Sequence, residues 1–331
     1  MTPRGARIGA ALFFLAAALA VVIGSGGAAY AQADADWDSG VSHFKQQQYR
    51  QAISDFQKVA DGHPDFANTY YYMGLSHFRL KEYGKSIVAL VRYLELAEKD
   101  GGKADPAARA VLGRAYFLTD DNQKAITTLT VATQTVTDDP VNFYYLGVAY
   151  QRVNQTDKAM EAFDRALKLN PKDPFTLDQM TRLMLSKAIA SGSAADWQAA
   201  ITRAEQLRLV RDDAATALLL GSAYLGAGEF QKASVHLAKV VEANPQDANG
   251  WFNYGLSLSR SKQFPKAETA LVKATTLDAT NADAFAELGF VEESQKKYKE
   301  ALDAYTKANT LKPNPQLQES IDRVKTVVPT T

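Results

Sequence analysis

One glycine recurs along this chain at a nearly constant interval, and this interval restricts the fold more than any other feature. Its seven copies are Gly40, Gly74, Gly113, Gly147, Gly221, Gly255 and Gly289. The successive separations are 34, 39, 34, 74, 34 and 34 residues. A period of about 20–50 residues is the signature of a repeat array, in which each unit packs on its neighbours. The sequence therefore predicts tandem copies of one unit and not a single central core.

Two further positions lie at a fixed distance from the glycine. A small residue stands 12 positions later, at Ala52, Ser86, Ala125, Ala159, Ala233, Ala267 and Ala301. A large residue follows four positions after that, at Phe56, Leu90, Leu129, Phe163, Leu237, Leu271 and Tyr305. Spacings of three and four residues are helical, and Phe143, Leu146 and Tyr150 predict another helix in the same way. Because glycine and alanine lack bulk, we expect the two helices of a unit to approach closely there.

The unit 140–173 shows the most complete pattern. It contains Phe143, Leu146-Gly147, Tyr150, Ala159, Phe163, Ala166 and Pro171. In these residues the chain resembles the tetratricopeptide repeat (TPR) family, whose 34-residue pattern has an aromatic residue, Leu-Gly, Tyr, Ala, Phe, Ala and Pro. The resemblance implies an all-α fold, an alpha-alpha superhelix (TPR solenoid) of about eight helix-turn-helix repeats with a C-terminal capping helix.

The pattern divides the chain into consecutive units. A first block, 33–173, holds repeats 33–66, 67–100, 106–139 and 140–173, and a second block, 214–315, holds repeats 214–247, 248–281 and 282–315. Between them, 174–213 is a degenerate, longer TPR-like repeat in which Thr181 replaces the glycine. Six additional residues around Gly192-Ser193 predict a longer turn. This unit either bends the array into two lobes or is an ordinary repeat with a longer turn. Residues 316–331 predict a capping helix and tail, with Leu317, Ile321 and Val324 on one face.

The first 31 residues differ from the rest of the chain. They begin with Arg4 and Arg7, continue with the apolar run 8–23 and end with Ala29, Tyr30 and Ala31. This order predicts a secretory signal peptide, residues 1–31, with cleavage between Ala31 and Gln32. An uncleaved anchor is the alternative, because this segment approaches the ~20 apolar residues that span a bilayer. The sequence thus predicts an exported, periplasmic bacterial protein, with a membrane-anchored protein facing the periplasm as the alternative.

Composition and motifs argue against several functions. The chain has 37 basic and 37 acidic residues, and loss of Arg4 and Arg7 leaves 35 against 37. This balance predicts no general attraction to nucleic acid, nor to a membrane after signal cleavage. There is no cysteine, which excludes disulfides and thiolate chemistry. Metalloprotease, nucleophile-elbow and P-loop motifs are absent too, so we expect no enzyme activity and no cofactor.

Two histidines are the strongest candidates for metal ligands. His43 and His77 occupy equivalent positions of neighbouring units, and stacking of the units would bring them near each other. A metal site needs about four ligands, and no further His or Cys is aligned to complete one. We therefore expect aromatic-sized core filling at these two positions and no metal.

The resemblance also implies where a partner binds. In TPR proteins the second, fifth, ninth, twelfth and thirteenth positions of each unit face a concave groove. In the first four units these positions include Trp37, Phe44, Lys45, Tyr71, Phe78, Arg79, Arg114, Phe117, Tyr144 and Arg152. Aromatic and arginine anchors favour a protein or peptide partner, and because arginine grips carboxylates bidentately, acidic segments are the expected ligands. Alternatively, many of these aromatics only pack between adjacent repeats, and the arginine stems cover apolar surface.

One subtype of the family binds a C-terminal dicarboxylate through Lys and Asn side chains. The matching positions here are Trp37, Val41 and Tyr72, so that clamp is absent. The sequence favours a non-catalytic scaffold or adaptor of the periplasm or cell envelope, with a partner in the concave groove. Two alternatives remain open: a targeting or regulatory subunit of an exported enzyme complex, and a self-assembling structural solenoid.

Overall fold

The structure is a computed structural model that describes residues 29–328. Within that range the secondary structure is helical, with seventeen α-helices, a short 3-10 helix (Lys99–Gly101) and no strand. The predicted signal peptide lies outside the described residues as far as position 28. The two residues predicted to flank its cleavage point, Ala31 and Gln32, lie in the first turn of α1.

Sixteen of the α-helices form eight pairs. The first helices of the pairs are α1 (Ala29–Lys45), α3 (Ala67–Arg79), α5 (Pro106–Leu118), α7 (Pro140–Arg152), α9 (Pro174–Ser191), α11 (Ala214–Gly226), α13 (Ala248–Arg260) and α15 (Ala282–Ser294). The second helices are α2 (Tyr49–Gly62), α4 (Tyr83–Ala97), α6 (Asn122–Thr135), α8 (Thr156–Leu169), α10 (Ala194–Val210), α12 (Phe230–Ala243), α14 (Phe264–Leu277) and α16 (Tyr298–Leu311). A last helix, α17 (Pro315–Lys325), follows them.

Each pair packs on the next, so the pairs form a continuous array. The first helices also contact one another along the array, as α1 does with α3, α3 with α5 and α5 with α7. The first helices therefore line one face, which we call the concave surface, and the second helices form the opposite, outer side. This arrangement confirms the predicted all-α superhelix of eight helix-turn-helix repeats.

The recurring glycine holds the two helices of a pair close together. A Cβ atom added at Gly147 would lie 2.6 Å from the ring of Phe163, and one at Gly113 would lie 2.6 Å from Leu129. The same close approach occurs in all seven units that carry the glycine. Since both facing residues are fully buried, a larger residue at the glycine has no free space to occupy. The close helix packing expected from the sequence is confirmed.

The turn between the helices of a unit has the same backbone conformation in seven units. Its second residue has a positive φ and is, in order, Gln47, Lys81, Asp120, Asn154, Gly228, Lys262 or Lys296. The left-handed conformation costs a non-glycine residue about 1–2 kcal/mol. Six of the seven turns have a non-glycine residue at this position despite the cost, because the reversal between the antiparallel helices requires this conformation.

The unit 174–213 differs from the prediction in one respect. Its helices α9 and α10 have 18 and 17 residues, whereas α2 to α8 have 13 to 15. The turn is only Gly192-Ser193, so the prediction that the six additional residues lengthen the turn is wrong. Leu185 and Ala188 are buried, and this helical apolar spacing extends α9 until Gly192, with φ 63°, ends it.

The same unit replaces the glycine by a different combination of sizes. Thr181 is fully buried and its hydroxyl donates a hydrogen bond to the carbonyl of Leu177 at 2.7 Å. The position equivalent to Phe163 is here Ala204, which is also fully buried. A medium-sized residue thus occupies the glycine position and alanine the position of the large residue, and both side chains are fully buried.

The joint between α8 and α9 is the most sparsely packed in the array. These two helices share fewer contacts than any other two consecutive α-helices of the described chain. The hydrophobic core nevertheless continues across the joint, from Phe163 on α8 to Leu177 on α9 and Leu220 on α11. The array is therefore continuous, although α8 and α9 pack less closely than the other consecutive helices of the described chain.

The helix α17 closes the C-terminal end of the array. Its Ile321 and Val324 are buried and pack against Ala301 and Tyr305 of α16. Arg323 adds two bonds to Glu293 of α15, at 2.8 and 2.9 Å. The predicted capping helix is thereby confirmed. Among the described helices, none combines the length and the apolar character needed to cross a bilayer.

Candidate functional site

Three arginines lie on three consecutive first helices of the concave surface. Arg79 is on α3, Arg114 on α5 and Arg152 on α7. Burial lowers the pKa of Arg114; Asp139 opposes this shift, and the charge of Arg79 adds to it. The charges of Arg79 and Arg114 therefore repel each other across the two helices.

The three arginines differ in how far their charge is already compensated. Arg114 pairs with Asp139 at 3.3 Å, and Asp139 also accepts a bond from the backbone N–H of Val141, at 2.9 Å, at the start of α7. Arg152 pairs with Asp120 at 2.7 Å. Arg79 is exposed and, within the described chain, has no ion pair. Of these three arginines, one therefore has no ion pair in the described chain and two share their charge with a carboxylate.

An aromatic pair lies beneath Arg152. The guanidinium carbon of Arg152 is 4.1 Å from the centroid of the Phe117 ring, and Phe117 packs edge-on against Tyr145 at 5.1 Å. Phe117 is only 7% exposed, so a partner meets Arg152 and not the ring. Of these two predicted site residues, the structure presents the arginine on the surface and places the phenylalanine under it.

The aromatic residues of the first unit have a structural role. The ring of Trp37 lies 5.4 Å from Phe56 and 5.5 Å from Tyr72. Phe44 packs against the same Tyr72 at 5.1 Å. These contacts join units one and two, so the alternative interpretation, in which aromatics pack between repeats, applies to Trp37 and Phe44. Lys45 is exposed beside them.

The aromatic residues of the second unit lie partly at the surface. Tyr71 is half-buried, and its hydroxyl donates a hydrogen bond to Asp105 at 3.2 Å; burial and the Asp105 charge raise its pKa. Phe78 packs edge-on against Tyr83 at 5.5 Å. Asp105 ends the inserted segment 101–105, and its backbone N–H donates to the hydroxyl of Tyr93 at 2.7 Å. Two tyrosines therefore hold this insertion at the edge of the concave surface.

Tyr144 lies where the first four units meet the unit 174–213. Its ring is 5.6 Å from Tyr145 and 6.1 Å from Phe163. Burial raises the pKa of Tyr144, and the charges of Asp173 and Asp178 add to that effect. Tyr144 thus marks the change from a basic surface to a carboxylate-bearing one.

In the unit 174–213 one carboxylate neutralises two arginines, Arg182 on the concave surface and Arg211 after α10. Asp178, only 8% exposed, accepts bonds from Arg182 at 2.7 Å and from Arg211 at 2.6 Å. Despite its burial, these two arginines hold the pKa of Asp178 below its usual value. Further along, Arg260 pairs with Glu287 at 3.0 Å. Arg182 and Arg260, on later first helices, are therefore paired with carboxylates, unlike Arg79.

Sequence reasoning missed three residues that shape this surface. Tyr145 lies next to the predicted Tyr144 and supports Phe117. Asp139 and Asp178 take up the charge of arginines. The order Asp139-Pro140 was a usable signal, because aspartate before proline is typical of a helix start. For Asp178 the sequence signalled only one partner, Arg182 four residues later on the same helix; its second partner, Arg211, is far away in the sequence.

The two candidate histidines each take an acidic partner within their own unit. The Nδ1 atom of His43 is 2.8 Å from Asp55, and that of His77 is 2.8 Å from Glu82. In residues 29–328, as far as their side chains are described, no three His, Cys, Asp or Glu residues are placed to hold a metal ion. Each histidine therefore makes a hydrogen bond to a carboxylate within its own unit.

The stacked helix pairs and the lined concave surface define a helical repeat protein of the protein-interaction type. The chain belongs to the tetratricopeptide repeat family. Three sequence models of this family match it, at residues 143–173, at residues 38–100 and 218–282, and at residues 282–315. Together they cover more than half of the chain.

Three solved structures illustrate what the chain is similar to. YrrB, described as a TPR protein with an unusual peptide-binding site, is 19% identical with a TM-score of 0.53; the match covers 59% of this chain and 97% of YrrB. A tetratricopeptide repeat protein from Parabacteroides merdae is 13% identical, covering 78% of this chain and 98% of that protein, with a TM-score of 0.47. MamA is 21% identical, covering 54% of this chain and 97% of MamA, with a TM-score of 0.44. A comparison with curated proteins gives no match.

Proposed function

We propose that the protein is a non-catalytic scaffold whose concave surface in units 33–173 binds a segment of a partner protein that carries carboxylates. One observation carries this proposal. Arg79, Arg114 and Arg152 lie on consecutive first helices, and Arg79 has no ion pair in the described chain. TPR proteins as a class are interaction scaffolds, and YrrB shows that the fold can hold a peptide site.

The spacing of the arginines suits an extended ligand. Packed helices lie about 8–10 Å apart, and an extended chain rises about 3.3 Å per residue. Carboxylates at about every third residue of a bound segment would therefore meet successive first helices. A carboxylate that approaches Arg79 forms a new pair, while at Arg114 and Arg152 it competes with Asp139 and Asp120. We infer that Arg79 is the main anchor and that the other two arginines adjust the orientation.

The tyrosines add apolar contact beside the charges. Tyr71 and Tyr144 are half-buried at the two ends of this stretch, and their rings are fixed by neighbouring aromatics. A ring that is already immobile loses little entropy on binding, and Tyr and Arg are enriched among residues that dominate interface energetics. These features support a peptide site more than a featureless packing surface.

The proposal also includes the cellular compartment in which the protein acts. The charge, apolar run and small residues of segment 1–31 support export, with the scaffold acting in the periplasm or cell envelope. Cleavage between Ala31 and Gln32 would leave a chain that begins inside α1. Intact mass of the protein purified from a bacterial periplasmic extract tests this. A mass that includes residues 1–31 contradicts cleavage and favours the membrane anchor.

Peptide binding is tested with a fluorescent peptide that has glutamate at every third position. The wild-type protein should bind it, and Arg79→Ala should weaken binding by about tenfold, as expected for loss of a charge-assisted contact. The triple variant Tyr71→Ala, Arg79→Ala, Arg114→Ala should abolish binding. Arg165→Ala is the matched control, because Arg165 is an exposed arginine on the second helix α8. Equal affinity of the triple variant and the wild type refutes the site.

A further inference from the structure

An apolar side chain stands on the outer side where all other units have a polar one. Leu209, near the end of α10, is 77% exposed. At the equivalent position the other units carry Asp61, Glu95, Gln134, Lys168, Glu242, Thr276 and Thr310. A leucine that is mostly exposed at this position contributes little to the fold. Its neighbourhood is therefore a candidate contact surface.

Leu209 borders a pocket between two neighbouring second helices. The pocket has a volume of about 450 Å³ and is lined by Leu167 of α8, Pro171 and Lys172 of the following loop, and Arg203, Leu209 and Val210 of α10. It lies beside the sparsely packed α8–α9 joint. Another exposed leucine, Leu169, lies at the end of α8 and is 41% exposed. Because Leu167 and Val210 line the pocket with Leu209, the aliphatic surface here is larger than one side chain.

The rim of the pocket carries positive charge without a matching carboxylate. Arg203 donates a bond to Gln206 at 3.0 Å but has no ion pair within the described chain. Burial lowers its pKa, and Asp164 opposes this shift from a distance, while Asp164 itself pairs with Lys168 at 2.7 Å. Lys172 is exposed and also has no ion pair in the described part of the structure.

We propose that this outer pocket is a second docking site, for a short partner segment that carries an aliphatic side chain next to a carboxylate. The aliphatic group would enter between Leu167, Leu209 and Val210. The carboxylate would pair with Arg203, whose guanidinium group is partly desolvated and lacks an acidic partner. The site is separate from the concave surface, so a scaffold with both sites would hold two segments at once.

Charge favours this occupant over a second copy of the chain. In a two-fold symmetric dimer the same patch meets itself. Arg203 and Lys172 of one copy would then lie against the same cations of the other, and like charges in contact oppose association. A foreign segment with carboxylates meets no such repulsion.

The test uses methyl NMR spectra of the leucine and valine side chains. The probe is a peptide of about 12 residues with alternating Leu and Glu, compared with a peptide in which Lys replaces Glu, each at about 1 mM, since single-segment sites bind weakly. The acidic peptide should shift the methyl signals of Leu167, Leu209 and Val210. The basic peptide should leave them unchanged.

Variants then separate this pocket from the concave surface. Arg203→Glu and Leu209→Ser should each reduce the affinity read from these signals by about tenfold. Val88→Ser is the matched control, because Val88 is 72% exposed on another second helix. Absent shifts, equal shifts with the basic peptide, or a concentration-dependent dimer that Leu209→Ser removes would each overturn the proposal. Loss of peptide binding in the Arg79→Ala variant affects only the concave site.

Discussion

The guanidinium group of Arg152 covers the ring of Phe117, with 4.1 Å between its central carbon and the ring centroid. The charged group lies at the surface and the ring below it belongs to the core between units three and four. A position that in sequence looked like an aromatic binding residue is thus the support of an arginine. The same pair places an arginine of the proposed binding surface directly on the core of the array.

The first prediction separates the two roles. Phe117→Ala should lower the free energy of unfolding by about 3–5 kcal/mol, because it empties a packed site. Arg152→Ala should lower it by less than about 1 kcal/mol, since a stacked surface arginine and its exposed ion pair add little. Urea unfolding followed by circular dichroism measures both. Similar losses in the two variants would contradict the division into support and surface.

The second prediction concerns the recurring glycine. Gly147→Ala should destabilise the protein by about 1–3 kcal/mol, because the new methyl group meets the Phe163 ring in a core without free space. Thr181→Gly should also destabilise, by about 2 kcal/mol, although it restores the family pattern. It removes a fully buried side chain and places a flexible glycine inside α9. A stabilised Thr181→Gly variant would show that the buried threonine side chain is not needed for packing in this unit.

The third prediction concerns a buried carboxyl group. Glu292 is 6% exposed and its Oε2 atom has no hydrogen-bond partner. Burial raises its pKa to about 7; Glu268, Glu300 and Asp303 add to the shift and Lys297 opposes it. Because the folded state holds this proton more tightly than the unfolded chain, the contribution to stability is full below pH 4.5 and is lost as the pH rises to about 7.

The measurement is the urea midpoint of Glu292→Gln at low and neutral pH. The variant should be more stable than the wild type at about pH 8, where Glu292 is charged, and the difference should vanish at about pH 4.5. Glu293→Gln is the control with the opposite sign, because Arg323 lowers the pKa of Glu293. That variant should be less stable than the wild type near pH 8. A Glu292→Gln variant without any gain there would contradict the assignment.

The fourth prediction concerns the turns. Lys81 adopts a left-handed conformation with φ 62°, and Gly228 takes the same place in unit 214–247 with φ 78°. Lys81→Gly should raise the free energy of unfolding by up to about 1 kcal/mol, and Gly228→Lys should lower it by about 1–2 kcal/mol. Thermal midpoints provide the comparison. Changes of equal sign in the two variants would show that the backbone conformation is not their cause.

The sequence predicted what depends on local periodicity. The eight helix pairs, the close glycine contact at Gly147 and the cap formed by Ile321 and Val324 all follow from spacings within one unit. Contacts between units could not be predicted from the sequence. The burial of Trp37 against Tyr72 and the ion pair between Arg152 and Asp120 depend on how neighbouring units are placed. The length of α9 was mispredicted because glycine and serine were taken as a loop, whereas Leu185 and Ala188 extend the helix.

The inserted segment 101–105 has a practical consequence. Asp105 starts α5 by accepting a bond from the backbone N–H of Ala107, at 2.8 Å, while Tyr71 and Tyr93 bind the same residue from the preceding unit. These three bonds position the next helix whatever the length of the chain before them. An affinity tag or fluorescent label inserted at Gly101-Gly102, which are both exposed, would therefore leave both proposed docking sites intact. The natural insertion marks the place where the scaffold can be labelled for experiments in cells.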